Sequence, residues 1–252
     1  MMVVFCAFGA ELGPLRARLR RPERLGRPGL RGYRGRLGEQ EVALVVSGIG
    51  IRRAQATAGL ALDNLEDVSG VMIAGVAGAL HEELGIGDVV VGDRLMLRRE
   101  DSFTTEHQLE VSPVHLTAAL SGLQSQRIKH TRGAIITSRR VVATAAEKRR
   151  IRATLGAIAV DMESAVIAQQ AASRALPFTV VRAIMDTAAQ DLEGALLTDA
   201  DGRIRLAAAV RLIVRKPRLV AASLRLLRDL RIAAENAAIA IEAILTNGPV
   251  GA

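Results

Sequence analysis

Val160-Asp161-Met162-Glu163-Ser164-Ala165 and Phe178-Thr179-Val180-Val181-Arg182-Ala183-Ile184-Met185-Asp186-Thr187 are the two stretches on which the fold turns. Each runs out of apolar, mostly β-branched residues into a carboxylate. Residues 157–160 and 178–184 are strand-like, and several such runs in the chain are too uniformly apolar to leave one face to water, which is the pattern of strands in a sheet covered on both sides. Asp161 and Asp186 then stand at strand ends, where α/β enzymes place their sites. From Ser164 the period becomes helical as far as residue 174, and Pro177 follows at the helix exit. Asp161 is suited to capping that helix, and the carboxylate of Glu163 favours its positive end. A cap role is open to Asp186 as well, ahead of Thr187 and Ala188, but it ranks second to a role in chemistry.

Working outward, further strand-like runs occur at 3–8, 42–46, 71–74, 89–91 and 134–136, with helical patterns at 53–65 and 145–155. Strands and helices alternating in this way imply helices over a single sheet. The expectation is an α/β fold of one domain: an α/β/α sandwich around a mixed central sheet, over residues 1–203, with a helical extension over 204–252. Half of the 252 residues are hydrophobic, enough for one large core, and neither a linker nor a repeat divides them. Two polar stretches, 98–113 and 189–203, read as loops, either lids over a site or plain surface excursions.

Composition narrows the setting. Cys6 is the single cysteine, so an intramolecular disulfide is excluded, core packing is its expected role, and a reducing, cytoplasmic compartment is expected. The first residues have no basic segment ahead of their apolar run, and no stretch is long and apolar enough to span a bilayer. The net charge of +8 is almost wholly arginine, since Lys129, Lys148 and Lys216 are the only lysines. Such a balance suits anionic partners. With one tyrosine and no tryptophan there is little for bases to stack on, so nucleic acid is not an expected partner. His81, His107, His115 and His130 lack ligand spacing, and no metal is implied. Beyond Pro217, Arg218, Arg225 and Arg228 share one arc of a helix while Leu219, Leu226, Leu227 and Leu230 share another. That basic amphipathic helix either packs its leucines on the core or a partner subunit, or lies on an anionic membrane.

Three more segments complete a set. Phe8-Gly9-Ala10-Glu11 follows the first strand, and Ser47-Gly48-Ile49-Gly50 and Gly75-Val76-Ala77-Gly78 are expected as tight turns after strands, where small residues let backbone approach a ligand. In their order and spacing, these segments with the two quoted at the outset resemble the nucleoside phosphorylase and nucleosidase superfamily. Within it they are similar to the nucleosidases of methylthioadenosine and S-adenosylhomocysteine, over residues 2–188.

The resemblance implies cleavage of a purine N-glycosidic bond. Asp186 would protonate the base at N7, Glu163 would hold the ribose hydroxyls, Met162 would pack beneath the ribose, and Glu11 would orient or deprotonate the attacking water. Asp161, Val76, Gly48, Gly75, Gly78 and Val142 would complete the substrate-binding set. Asp186 would need to stay protonated near neutrality, and apolar surroundings from Ile184 and Val181 are the expected means. Family members need no cofactor, and inorganic phosphate is an alternative to water as the nucleophile; they usually assemble as homodimers or larger homo-oligomers. Two departures matter. Val76 stands where the nucleosidases carry a hydroxyl residue, and the region Ser138-Arg139-Arg140-Val141-Val142 lacks the aromatic residue that stacks on the base in many relatives. A narrower resemblance, carried by Val76 and the arginine-rich tail, is to the hopanoid-associated phosphorylase-like proteins. It implies an adenine nucleoside with an apolar 5′ substituent, adenosylhopane, and peripheral contact with the inner face of the membrane. Methylthioadenosine or S-adenosylhomocysteine remains the alternative substrate, and a lipid- or RNA-binding protein on the same fold the non-enzymatic one.

Overall fold

A computed structural model describes residues 1–99, 102–192 and 218–247, with the side chains of the last segment described from Leu224 to Thr246. In chain order the elements are β1 (Met2–Cys6), α1 (Gly9–Arg18), β2 (Arg20–Arg24), β3 (Gly32–Leu37), β4 (Gln40–Val46), α2 (Ile51–Asn64), β5 (Gly70–Ala79), β6 (Val89–Arg98), β7 (Thr105–Glu110), α3 (Pro113–Ser125), β8 (His130–Thr137), α4 (Ala145–Leu155), β9 (Ala159–Asp161), α5 (Ser164–Ala172), β10 (Phe178–Asp186) and α6 (Arg218–Asn247).

β5 is the hub of the sheet, and every one of its residues is buried. It runs parallel to β1 on one side and to β10 on the other, and its end pairs antiparallel with β9. β9 leads to β8, β8 to β6, and β6 returns antiparallel to β10, so these five strands close into a ring. On the other side β1 carries β4, β3 and β2 outward to an open edge. The mixed sheet is covered on both faces, as the uniformly apolar runs required. Ala54, Ala58 and Ala61 of α2 and Val166 and Ile167 of α5 meet Val3, Phe5 and Ile73 on one face. Leu12 and Leu15 of α1, Leu116 and Leu123 of α3, and Ile241, Ile244 and Leu245 of α6 meet Val4, Leu44 and Met72 on the other. Each fully buried aliphatic side chain of that kind contributes about 1.5–3 kcal/mol relative to exposure.

Several expectations need correction. Gly75-Val76-Ala77-Gly78 is no turn: β5 runs straight through it. The stretch 98–113, expected as a loop, holds β7, which pairs with β6 in a hairpin, and the start of α3 at Pro113. Its polar composition misled because β7 lies at the edge of the sheet, with no fully buried residue, and shows no apolar period. The same holds for β2, Arg20–Arg24, which is exposed throughout and is a strand only because β3 supplies its hydrogen bonds. Of the stretch 189–203, and of the tail 204–252, only residues 189–192 and 218–247 lie within the described part.

In α6 the buried seam is made of small residues, Ala233, Ala234, Ala237, Ala238 and Ala240, together with Ile241. Leu226 and Leu230 are half-buried and Leu227 is exposed, and the side chain of Leu219, the fourth leucine of that arc, lies outside the described residues. Small residues let α6 come close. A Cβ at Gly122 of α3 would lie 2.8 Å from the backbone of Ile244, and Arg18 of α1 pairs with both Glu235 and Glu242.

Candidate active site

Glu11 sits in the first turn of α1, where β1 has delivered the chain to the C-terminal side of the sheet. Its carboxylate turns inward: Oε2 accepts the N–H of Ala7 at 2.6 Å and Oε1 that of Val76 at 2.9 Å. Burial pushes its pKa up, opposed by Arg182 and by those backbone donors. The room for this carboxylate comes from Gly75. At φ 139° it holds a conformation that side chains rarely adopt, and a Cβ there would lie 2.6 Å from the carboxyl group of Glu11. The glycine expected to admit a ligand admits a carboxylate of the protein itself.

Arg182 of β10 is fully buried and gathers the next group. Its guanidinium donates to the Ser164 hydroxyl at 2.9 Å and to the Ala74 carbonyl at 3.2 Å, and pairs with Asp161 Oδ2 at 2.8 Å. Asp161 Oδ1 accepts the Thr137 hydroxyl at 2.7 Å and the N–H groups of Glu163 and Ser164 at 3.3 and 3.2 Å. Asp161 therefore serves the start of α5, as a cap was expected to, and holds Arg182 in place. Its Oδ1 is taken by protein donors, while Oδ2 faces Arg182 as an ion pair and accepts no hydrogen bond.

Glu163 accepts the N–H of Gly50 at 2.8 Å, and its second oxygen stands 3.9 Å from Arg182. Gly50, at φ 88°, lies just ahead of α2 in the turn that was expected to approach a ligand. Burial pushes the Glu163 carboxyl up to about 8, with Arg182 opposing and Asp161 and Glu11 adding to the rise. One guanidinium faces three carboxylates here, and the contact at 3.9 Å is too long to hold Glu163 ionised against burial.

Asp186 ends β10. A bulge at Met185 sets Ile184 opposite Ala77 and Asp186 opposite Gly78, and a Cβ on Gly78 would lie 2.9 Å from the Asp186 carboxylate. Gly75 and Gly78, three residues apart on β5, thus make room for Glu11 and Asp186 respectively. The apolar surroundings expected for Asp186 are only half of what is found. Its Oδ2 accepts from the ammonium of Lys148 at 2.5 Å, and Lys148, fully buried on α4, also donates to the carbonyls of Thr187 and Gln190 at 2.7 and 3.0 Å. Burial raises the pKa of Asp186, and Lys148 opposes the rise.

The structure thus brings together Glu11, Gly75, Val76, Asp161 and Glu163 around Arg182, and places Gly78 and Asp186 at the adjoining end of β5. Val76 contributes its N–H to Glu11 while its side chain packs against Ala233, Ala234 and Ala237 of α6. Gly48, at φ 84°, follows β4 and donates its N–H to the Ala7 carbonyl. Met162 is half-buried between Asp161 and Glu163. Val142 is buried with Met96, Ile136, Ile151 and Val160, the residue before Asp161. Sequence reasoning missed Lys148, Thr137 and Ser164, and gave Arg182 no role. For Lys148 a signal existed: it is one of three lysines in an arginine-rich chain, and with Ala145 and Ile151 it falls on the buried face of α4. Among the described residues no cluster of His, Cys, Asp and Glu is arranged to hold a metal ion.

The sequence profile of the phosphorylase superfamily matches residues 2–215. A 5′-methylthioadenosine/S-adenosylhomocysteine nucleosidase of Staphylococcus saprophyticus is 31% identical over 170 residues, which cover 63% of this chain and 74% of that protein. The nucleosidase of the same name from Mycobacterium bovis is 28% identical over 222 residues, 75% of this chain and 86% of its own length. Among solved structures, an S-adenosylhomocysteine nucleosidase of Streptococcus pyogenes in complex with 5-methylthiotubericidin superposes with a TM-score of 0.78 at 25% identity, covering 99% of this chain and 97% of that one.

Proposed function

The chain belongs to the phosphorylase superfamily, and on that footing we propose that it is a nucleosidase that releases adenine from an adenine nucleoside by breaking the N-glycosidic bond. The observation that carries this reading is the pair of buried carboxyl groups given room by Gly75 and Gly78 of β5, Glu11 at the first and Asp186, hydrogen-bonded to Lys148, at the second. Departure of a purine leaves a sugar with cationic character, so the site must protonate the base, hold the sugar and present a nucleophile. Asp186 protonates the base, Glu163 accepts from the ribose hydroxyls, Met162 packs beneath the ribose, and Glu11 directs the nucleophile. Water is the nucleophile this site favours. Arg182, the guanidinium at its centre, is engaged by Asp161, while Arg139 and Arg140 pair with Glu106 and Glu147. Adenine release assayed with and without inorganic phosphate, identifying ribose or ribose phosphate, tests this; strict phosphate dependence would replace hydrolysis with phosphorolysis.

For the 5′ substituent the names of the nucleosidase relatives point to methylthioadenosine and S-adenosylhomocysteine. A second reading, adenosylhopane, is favoured by one observation. Val76 packs with Met185, Leu230 and the alanines of α6, and along the same helix Leu224 and Leu227 are exposed beside Arg225, Arg228 and Arg231. In that reading residues 1–203 catalyse, while 204–252 bring a homo-oligomer to an anionic membrane surface. No helix among the described residues is long and apolar enough to cross one. Adenine release from methylthioadenosine in solution and from adenosylhopane in micelles separates the two readings. Rapid turnover of methylthioadenosine with none of adenosylhopane rejects the lipid substrate.

A further inference from the structure

Lys148 has no part in the mechanism as the family resemblance implies it, yet its ammonium is fully buried and bonded to the carboxylate assigned as the acid. Its three donors are all used, one on Asp186 Oδ2 and two on the carbonyls of Thr187 and Gln190. A residue needed only to tie down the segment after β10 requires no charge, because that segment is tied to α4 independently. Asp191 accepts the Ala145 N–H at 2.6 Å, and Leu192 donates to the Ala143 carbonyl at 2.8 Å. The other charged groups nearby are engaged elsewhere. On α4, Glu147 turns to Arg98 and Arg140, Arg150 lies over Phe103, and Arg152 donates to the Gly156 carbonyl. On β9 and β10, Asp161 and Arg182 hold each other; β5 presents only Gly78 to the Asp186 carboxylate. Among the described residues, Lys148 is the charged group that acts on Asp186.

We propose that Lys148 stores the proton that Asp186 delivers to the leaving base, so that the acid of this site is the pair and Lys148 acts through Asp186. Burial favours the protonated carboxyl of Asp186 and the Lys148 ammonium opposes it, so the hydrogen bond between them joins two groups that compete for one proton. In the step, an Nζ–H bond of Lys148 breaks as Oδ2–H forms. The carboxyl turns about its Cβ–Cγ bond, and its O–H bond breaks as the proton joins a ring nitrogen of the base. The electron pair of the broken glycosidic bond stays on the base. Lys148 is left as the neutral amine, Asp186 as the carboxylate, and the sugar takes the oxygen of water, whose released proton restores the charge of the site.

This rests on the reading of Asp186 as the acid, and the two fail differently. In the wild-type enzyme kcat/KM falls on the alkaline side when the essential proton is lost. If the pair holds that proton, Lys148→Met leaves Asp186 alone, and the alkaline limb moves down by at least about one pH unit, with a loss of about 100-fold or more in kcat/KM at pH 8. If Asp186 alone is the acid and Lys148 merely lowers its proton affinity, Lys148→Met moves the limb upward. If Lys148 only supports the loop, the limb stays where it is. Upward movement or none overturns the proposal. Should Lys148→Met not fold, the wild-type limb decides by its temperature dependence. The ionisation of an amine shifts to lower pH on warming, as the proposal requires, and that of a carboxyl scarcely moves, which overturns it. Asp186→Asn separates the two levels: normal turnover in that variant rejects Asp186 as the acid, whereas lost turnover with a temperature-insensitive wild-type limb rejects the role of Lys148 alone.

Discussion

Gly75→Ala puts the seating of Glu11 to a quantitative test. The new Cβ would lie 2.6 Å from the Glu11 carboxyl group, and ordinary contact begins at 3.4 Å, so the carboxylate must recede by roughly 0.8 Å. It is pinned by hydrogen bonds of 2.6 and 2.9 Å from Ala7 and Val76, both of which are lost over such a distance. Each buried donor left unsatisfied costs about 1–3 kcal/mol, and an alanine held at φ 139° adds about 1–3 kcal/mol of strain. The expected loss, about 3 kcal/mol at least, is a large part of the 5–15 kcal/mol that typically holds a domain together. Displacement of a catalytic group by this much lowers the rate about 100-fold. Urea denaturation followed by circular dichroism reads the first effect, and adenine release reads the second. Glu11→Asp, one methylene shorter, relieves the contact, so in the double variant the stability losses should fall short of additive by at least about 1 kcal/mol. A Gly75→Ala enzyme of wild-type stability and activity, or strictly additive losses, would refute the idea that Gly75 exists to seat Glu11.

Other outcomes follow from the same geometry. Asp186→Asn should fold, since the amide oxygen still accepts from Lys148, but should release adenine about 10²- to 10⁴-fold more slowly; near-normal turnover would remove Asp186 from the chemistry. The carboxyl of Glu163, raised by burial from 4.5 to about 8, favours the neutral form in the fold. Its contribution to stability is therefore present in full below pH 4.5 and is lost as pH rises through about 8, on the order of 2–5 kcal/mol in all. Urea midpoints at pH 5 and pH 9 should show that decline in the wild type and not in Glu163→Gln, and equal declines would mean that another group titrates. Thr137→Val strips the hydroxyl that donates to Asp161 and accepts from Ala165 N–H, and should cost about 2–4 kcal/mol by thermal or urea unfolding. A cost below about 0.5 kcal/mol would show that Asp161 needs no such support.

The covered sheet and the strand-end carboxylates were legible in the sequence because burial on both faces leaves a predominantly apolar run, and in two of these runs the strand ends in Asp161 or Asp186. Edge strands β2 and β7 were not legible. Their residues are polar, and their structure lies in hydrogen bonds supplied by a neighbouring strand. Gly75 and Gly78 were recognised as important but misplaced in a turn, since a glycine that opens space for a side chain distant in sequence looks the same as one that opens a turn.

By itself the sequence determined the layered fold and the carboxylates that end its strands, because both follow from local patterns of burial. Only the tertiary structure decided how those carboxylates are held. Asp161 is locked to Arg182, Glu163 is left at 3.9 Å from it, and Asp186 meets the ammonium of Lys148, a residue thirty-eight positions away on another element. Charge state in a buried site depends on distances of an ångström or two between groups far apart in the chain, and no local pattern encodes those distances.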